Sequence, residues 1–211
     1  MTSLRSYEDP CGIARALDVV GERWGLLIVR ELVFGPKRFT DLRTGLRGAS
    51  PNVLSQRLRE LEAAGVVQKR ADTAGTYELS DWGRELHPIL VALGRWGAQS
   101  PVRPAGELSV DALIIALETT FEPNESWTDR YVFELRLSGD SFILEVEGPN
   151  LTITRGTPGH PNAQILSDPA TLRAVVFGGR STALGGIELR GDRRLAKRLL
   201  RQFPRPNMIQ R

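Results

Sequence analysis

Amide, hydroxyl and guanidinium side chains recur at helical spacing between residues 50 and 61, in the segment SPNVLSQRLREL. An Asn or Gln side chain can pair bidentately with adenine, and an Arg side chain with guanine, in a DNA major groove that admits one α-helix. A helix that presents such groups on one side could therefore read the edges of base pairs. The candidate base-reading residues are Asn52, Ser55, Gln56 and Arg59.

The element that must position these side chains is an amphipathic helix. Ser50 can cap the free N–H groups of its first turn, and Pro51 has no N–H group to lose at the first helical position. Leu54, Leu58 and Leu61 repeat at i, i+4 and i+7, which places one narrow apolar stripe opposite the polar residues. The sequence predicts a helix anchored by leucines, with its polar side turned outward.

A shorter helix is predicted directly before this one. Phe39, Leu42 and Leu46 lie at helical spacing, and Gly45 and Gly48 bracket the end of the segment. A helix, a short turn and a second helix with a polar outer side form a helix-turn-helix, whose second helix enters the major groove. Taken alone, these residues also fit a two-helix corner of an all-α domain with a solvated polar face.

The segment that follows favours the DNA-binding interpretation. Residues 66–71 and 76–80 are predicted to be short strands, with a tight turn at residues 72–75. A helix-turn-helix followed at once by a β-hairpin is a winged helix, and the hairpin would lie near a second stretch of DNA backbone. The residues expected to contact phosphates are Arg38, Thr40, Ser50, Arg57, Lys69, Arg70 and Thr76.

Three further helices are predicted around this motif. Residues 13–20 form a short amphipathic helix, and residues 24–33 (WGLLIVRELV) are apolar nearly all round, so that helix should be buried centrally. Residues 82–98 form a long helix with more apolar surface than one winged domain can cover. We expect the first and the last of these helices to pair two chains, so that a twofold homodimer presents its recognition helices about one turn of DNA apart. The apolar side of the long helix comprises Leu86, Ile89, Leu90, Leu93 and Trp96.

The positive charge of the chain is concentrated in two segments. The 211 residues carry a net charge of only +3, with 41% apolar and 25% charged residues, which is the composition of a folded globular protein. Residues 30–70 hold nine Lys or Arg residues against four Asp or Glu residues, and residues 190–211 hold eight against Asp192 alone. The first surplus coincides with the candidate DNA-binding region, where phosphate neutralisation supplies affinity. The second lies on a predicted C-terminal helix and is interpreted as a solvated basic face.

Several classes of function have no support in the residues. The single cysteine, Cys11, excludes an internal disulfide, and no segment has the apolar run of a signal peptide or a membrane span, so we expect a cytoplasmic protein without membrane insertion. His87 and His160 are isolated from other metal-ligating residues, and no acid–base pair or phosphate-binding loop stands out. We therefore expect no metal, no cofactor and no enzymatic activity.

The hydrophobic pattern changes after a proline-containing connector at residues 99–106. Residues 110–121 predict an amphipathic helix, and residues 131–153 alternate between apolar and polar positions in three segments joined by short turns. Residues 163–167 predict a fourth strand, Asp168 begins a helix, residues 187–190 suggest another strand, and Asp192 begins the last helix. This half is predicted to be an α+β domain with a mainly antiparallel sheet and helices on one face.

Residues 11–98 resemble the HxlR family of bacterial winged-helix regulators, relatives of the MarR type. The match comprises Cys11, the segment ALDVVGERWGLLIVREL (16–32), the helix-turn-helix with the first wing strand (38–70), and YELSDWGRELHPILVALGRWG (77–97), in the usual order and spacing. The resemblance implies a homodimeric DNA-binding regulator of transcription, here expected to be a repressor. Family wings usually carry a longer segment with paired prolines, whereas this wing has only ADTAGT (71–76). This departure puts minor-groove contact by the wing in question, and phosphate contact is still expected from it.

Cys11 has two interpretations. In the resembling family, a cysteine at this place can act as a thiol sensor that changes the dimer when it is oxidised, and Arg15, one turn later, could favour the thiolate. The other interpretation is a small apolar residue at the start of a helix.

Residues 107–204 resemble the SCP2-like (sterol carrier) domain in the order of their elements and in the segment LGGIELRGD (184–192) before the closing helix. In that family the helices stand off the sheet and leave an apolar tunnel for lipids or other hydrophobic molecules. The same side chains could equally pack a solid core. The candidate tunnel residues are Tyr131, Phe133, Phe142, Leu144, Leu172, Val176, Leu184 and Leu195.

The sequence therefore predicts two domains, a winged helix-turn-helix domain at residues 1–100 and an SCP2-like domain for hydrophobic-ligand binding or dimerisation at residues 107–211. The expected function is a homodimeric, ligand-responsive transcriptional regulator that binds double-stranded DNA and a hydrophobic small-molecule effector. The alternative is a lipid-binding carrier whose winged domain serves only for dimerisation. Steep loss of DNA affinity with added salt would distinguish the regulator from the carrier.

Overall fold

The computed structural model describes residues 6–101, 106–123, 127–178 and 185–204. Backbone contacts divide the chain into two compact units, Met1–Leu90 and Val91–Arg211. Both contain helices and a sheet, which confirms the mixed α+β class.

The first unit contains a helix-turn-helix followed by a β-hairpin, as predicted. Its sheet has three antiparallel strands in the order β1-β3-β2. The elements in chain order are α1 (Gly12–Val20), α2 (Gly25–Leu32), β1 (Lys37–Arg38), α3 (Phe39–Gly45), α4 (Pro51–Ala63), β2 (Val67–Lys69), β3 (Thr76–Leu79), α5 (Asp81–Arg84) and α6 (Leu86–Ala98), the last of which continues into the second unit.

Two features of this unit differ from the sequence-based prediction. The prediction of one long helix over residues 82–98 is wrong, because α5 ends at Arg84 and α6 begins at Leu86. Pro88 explains the break, since it has no N–H group to donate to the carbonyl of Arg84 and its ring would clash with that carbonyl. Strand β1 was not predicted, because a two-residue strand shows no periodicity. Its Lys37 pairs with Tyr77 of β3.

The core of the first unit lies between α2 and α4. The predicted central position of α2 is confirmed at Ile28 and Val29, which are fully buried. Leu54, Leu58 and Leu61 of α4 are also buried and belong to the same apolar cluster. The leucine stripe predicted from the sequence is therefore the side by which α4 is attached to its domain.

A buried carboxylate lies at the end of α2, within a segment that the sequence describes as almost wholly apolar. Glu31 is 0% exposed, and its carboxylate accepts hydrogen bonds from Lys37 Nζ at 2.8 Å and Arg30 Nη2 at 2.9 Å. It lies so close to Gly45 that a Cβ atom there would stand 2.3 Å from Glu31 Oε2. Glu31 thus joins α2, β1 and the last residue of α3.

The second unit is built on a five-stranded sheet in the order β6-β5-β4-β7-β8, in which only the β4–β7 pair is parallel. The predicted meander, the fourth strand and the mainly antiparallel sheet are confirmed. Helices α7 and α9 pack on the sheet, and α7 also contacts α8. The elements are α7 (Val110–Thr120), β4 (Tyr131–Leu137), β5 (Asp140–Glu147), β6 (Asn150–Arg155), β7 (Ala163–Ser167), α8 (Pro169–Val176), β8 (Ile187–Gly191) and α9 (Arg193–Leu200).

The candidate tunnel residues that the structure describes belong to the interior of the second unit or its margin. Phe133, Phe142, Leu144, Leu172 and Val176 are buried. Two others, Tyr131 and Leu195, are half-buried, and Leu184 lies outside the described residues. Both a lined tunnel and a solid core require this burial, so the tunnel stays a prediction.

The sheet also carries a buried carboxylate, Glu134, on the side of β4 opposite Phe133. Glu134 is 1% exposed and accepts hydrogen bonds from Arg136 Nε at 2.7 Å, from Ser141 Oγ at 2.9 Å and from the Gln164 amide. Burial by itself would raise the pKa of Glu134, but these three hydrogen bonds outweigh it and hold the pKa below its ordinary value. Glu134 is therefore ionised in the folded protein at neutral pH.

Replacing Glu31 by Ala is expected to lower the free energy of unfolding by about 3–5 kcal/mol, because two partly buried cations would lose their common partner. Urea unfolding followed by circular dichroism measures the change. Glu62→Ala is the matched control, since Glu62 pairs with the more exposed Lys69 and its loss should cost less than about 1 kcal/mol. Equal losses for the two variants would contradict the role given to Glu31.

Glu134 should make the stability of the second unit dependent on acid pH. Its pKa is lower in the folded than in the unfolded chain, so its stabilising contribution is present near neutral pH and is lost as the pH falls through the folded value. Between about pH 5 and pH 3 the free energy of unfolding should therefore fall more steeply for the wild type than for Glu134→Gln. All other carboxylates are common to both proteins, so parallel pH profiles would contradict this assignment.

Candidate nucleic-acid interface

The outward side of α4 is set by how the helix begins and by what it buries. Ser50 Oγ accepts a hydrogen bond from the backbone N–H of Val53 at 3.3 Å, and Pro51 occupies the first helical position. The three leucines of the opposite side are buried in the core. Consequently, Asn52 and Arg59 are exposed, while Ser55 and Gln56 are half-buried on the same outer side. The structure thus brings the four predicted base-reading residues onto one face.

The longest side chains of this face are held by hydrogen bonds within the helix. Arg59 Nη2 donates to Gln56 Oε1 at 2.7 Å, and Gln56 Nε2 donates to Glu60 Oε1 at 2.7 Å. The amide of Gln56 is therefore oriented before any base approaches. A base pair would have to replace these bonds, so the net gain from each contact would be smaller than its gross strength.

Arg57 does not share the base-reading face. It lies roughly 140° around the helix from Asn52, by the ordinary advance of 100° for each residue. Its guanidinium pairs with Glu60 of the same helix and lies 3.5 Å from the carboxylate of Glu22. Arg57 is thus engaged in intramolecular ion pairs rather than pointing outward with the other candidates.

Helix α3, the residue before it and the turn after it also carry exposed cations. Arg38 and Thr40, both predicted phosphate contacts, are exposed at the start of α3, where the backbone N–H of Arg38 donates to Asp41 Oδ2 at 3.0 Å. The sequence-based selection omitted Arg43 and Arg47, which are also exposed. The positive surplus of residues 30–70 already contained both, and it was the signal that could have identified them.

The wing carries its cations in ion pairs. Lys69 Nζ donates to Glu62 Oε2 at 3.1 Å and lies 5.9 Å from the centre of the Tyr77 ring. The Arg70 guanidinium makes a two-bond contact with Asp72, with Nε donating to Oδ1 at 2.7 Å. This contact raises the pKa of Arg70 and lowers the pKa of Asp72. The negative charge of Asp72 thus already compensates part of the positive charge of Arg70 in the absence of DNA.

Thr76, also predicted to contact phosphate, is placed differently. Thr76 is only 6% exposed, and within the described part of the chain its hydroxyl has no hydrogen-bond partner. The pairing of β1 with β3 sets Arg38 opposite Thr76. In this conformation the hydroxyl of Thr76 does not face solvent, so a phosphate cannot reach it without movement of its surroundings.

Cys11 is exposed and immediately precedes α1. Its backbone N–H donates to Asp9 Oδ1 at 2.8 Å, and its carbonyl accepts from the backbone N–H of Arg15. The thiol is therefore reachable from solvent at the beginning of the first helix.

The described residues contain neither a cluster of metal-ligating side chains nor a helix that could span a membrane. No three His, Cys, Asp or Glu side chains among them lie close enough together to hold a metal ion. None of the helices formed by those residues combines the length and apolar character needed to cross a bilayer.

Comparison with known proteins identifies the family of the first half of the chain. The family model for the HxlR-like helix-turn-helix matches residues 19–103. This range contains α2, α3, α4 and the wing, and therefore the whole candidate interface.

Individual relatives agree with this match. The HTH-type transcriptional regulator YvaP of Bacillus subtilis is 37% identical over 89 residues, covering 40% of this chain and 82% of YvaP. The HTH-type transcriptional regulator Mb3122 of Mycobacterium bovis is 40% identical over 98 residues, covering 44% of this chain and 61% of Mb3122.

Among solved structures, the quinone-bound YodB from B. subtilis is 30% identical, with 41% of this chain and 96% of that chain covered and a TM-score of 0.38. The family assignment rests on the matched helix-turn-helix region and on the extent to which YvaP is covered. The chain belongs to the HxlR-like helix-turn-helix family.

Proposed function

We propose that this protein is a sequence-specific DNA-binding regulator of transcription that inserts α4 into the major groove. The observation that carries the proposal is the division of α4 into a buried leucine side and an outward side with amide, hydroxyl and guanidinium groups. The membership of this chain in a helix-turn-helix family supports DNA as the ligand of that outward side. The proposed base-reading residues are Asn52, Ser55, Gln56 and Arg59.

Phosphate contacts would fix the position of α4 on the duplex without reading sequence. Arg38 and Thr40 lie at the start of α3 and Ser50 at the start of α4, and Lys69 and Arg70 would serve from the wing. We leave Arg57 and Thr76 out of this set, because the first is ion-paired away from the outer face and the second is buried.

We further propose that the active form is a homodimer and that it represses transcription by occupying its operator. Exposed apolar side chains on two helices support the dimer. On α1, Ile13 and Leu17 are exposed, and on α6, Ile89, Leu93 and Trp96 are exposed at positions i, i+4 and i+7. Such faces tend to be covered in an assembly. A twofold dimer would set two copies of α4 about one turn of DNA apart.

For the second unit we propose an SCP2-like fold that binds a hydrophobic effector. Its support is the apolar side of the sheet, which carries Phe133 and Leu144 beneath helices. An effector changes DNA affinity only if it binds the DNA-competent and DNA-incompetent forms unequally. We propose no catalytic reaction and no cofactor for this protein. We propose that it acts in the cytoplasm, where the DNA that it would bind is found.

The experiment that tests the proposed function is genomic footprinting with the purified full-length protein, followed by affinity measurements on the sites obtained. Binding should weaken steeply as salt is added, because bound Lys and Arg side chains release counterions from DNA. Failure to retain DNA at low salt would favour a carrier for hydrophobic molecules instead.

Replacing Arg59 by Ala should cost about 1–3 kcal/mol at one base-pair position and relax the preference there. Affinities for a set of duplexes with single base changes measure the effect. Arg57→Ala is the matched control on the same helix, and it should leave the order of preference among these duplexes unchanged. The assignment would be contradicted if Arg59→Ala weakened every duplex by the same factor.

Replacing Leu93 by Glu should dissociate the proposed dimer, because the charge would be placed on the exposed apolar face of α6. Sedimentation equilibrium measures the mass, and DNA affinity should fall together with it. Leu93→Met keeps an apolar side chain and should remain dimeric. A wild-type protein that sediments as a monomer at micromolar concentration would contradict the dimer.

A further inference from the structure

Helix α9 presents a row of cations that is separate from the helix-turn-helix. Arg193, Arg194, Lys197 and Arg201 are exposed, and within the described residues none of the four forms an ion pair. Arg193, Lys197 and Arg201 follow one another at intervals of four residues. They therefore lie on one side of the helix with a rise of about 6 Å between neighbours.

Arginines on or next to the strands of this unit, by contrast, have acidic partners. Arg130 pairs with Glu145 at 2.7 Å, and Arg190 pairs with Glu188 at 2.7 Å. Asp192 directly precedes α9, and its carboxylate instead accepts the backbone N–H groups of Arg194 and Leu195 at 2.9 Å and 3.0 Å. The positive charge of this face is thus left for a partner from outside the unit.

The apolar side of α9 decides what kind of partner fits. A basic amphipathic helix commonly lies on a membrane surface with its apolar side in the lipid. Here Ala196 and Leu199 are fully buried, and α9 packs against β7 and β8. Its apolar side is therefore unavailable to lipid, and only the charged side is open to a partner.

We infer that the exposed basic face of α9 is a second contact for the phosphate backbone of duplex DNA, independent of base sequence. The inference rests on the proposed DNA-binding function, which supplies a polyanion to the same chain. Each Lys or Arg that neutralises a phosphate releases condensed counterions, so this contact increases affinity for any duplex and makes it more dependent on salt.

The test uses the full-length protein with four substitutions, Arg193→Gln, Arg194→Gln, Lys197→Gln and Arg201→Gln. Gln has nearly the same helix propensity as Arg and Lys, so α9 should stay folded, and thermal unfolding checks this. Fluorescence anisotropy gives the affinity for a 60-bp duplex carrying a footprinted site, and for a scrambled 60-bp duplex, over a series of NaCl concentrations. The control, Arg193→Lys with Arg194→Lys and Arg201→Lys, keeps every charge.

The Gln variant should bind both duplexes more weakly, and the slope of log affinity against log salt should become shallower by about 2–4 for each bound protomer. The Lys control should keep the wild-type slope. A wild-type slope in a folded Gln variant would overturn this inference and leave the proposed function standing, whereas no retention of either duplex by the wild type would overturn both. Tighter binding of the wild type to phosphatidylserine vesicles than to the scrambled duplex, lost in the Gln variant, would assign the face to lipid and overturn the DNA contact.

Discussion

The packing of three leucines determines what the first half of this molecule can do. Leu54, Leu58 and Leu61 are buried together, and burying each side chain contributes on the order of 1.5–3 kcal/mol. Turning α4 by one residue about its axis would expose part of this stripe and bring charged side chains toward the core. The domain therefore specifies the outward direction of Asn52 and Arg59 through the leucines buried on the opposite side of the helix.

Two close approaches hold the turn before α4 against α2. Gly45 lets the buried carboxylate of Glu31 lie against the end of α3, and Gly48 lets the Trp24 ring come so near that a Cβ atom would stand 2.7 Å from it. Trp24 itself adopts a left-handed backbone conformation, with φ of 82°, directly before α2. Such a conformation is costly for a bulky residue and persists only where the surroundings enforce it. The turn is thus positioned by specific contacts as well as by apolar burial.

The elements that could be predicted from the sequence are those in which the spacing of apolar side chains shows which face is buried. The leucine stripe identified α4, and alternation along β4 and β5 identified the meander, because one face of each element is buried continuously. Strand β1 could not be identified in this way, since two residues carry no period. Pro88 was a visible signal of the helix break, but the apolar pattern on both sides of it suggested one continuous helix.

In the candidate site, too, some features follow from helical spacing and others do not. The shared face of Asn52, Gln56 and Arg59 follows from helical spacing, whereas their engagement with one another and with Glu60 depends on rotamers that spacing does not specify. Thr76 is buried and lies on β3 opposite Arg38 of β1, an element absent from the sequence-based prediction. Glu31 was not singled out from its apolar segment, because its burial and its hydrogen bond from Lys37 become apparent only once α2 and β1 are brought together.

The measurement that tests the central claim most directly is protection of guanine N7 from methylation by dimethyl sulfate in duplexes bound by the wild-type protein. Guanine N7 lies in the major groove. If the outer face of α4 reads bases there, guanines within each footprinted site should become protected while flanking guanines stay reactive. Full reactivity of every guanine N7 in a saturated complex would show that α4 does not occupy the major groove and would contradict the account.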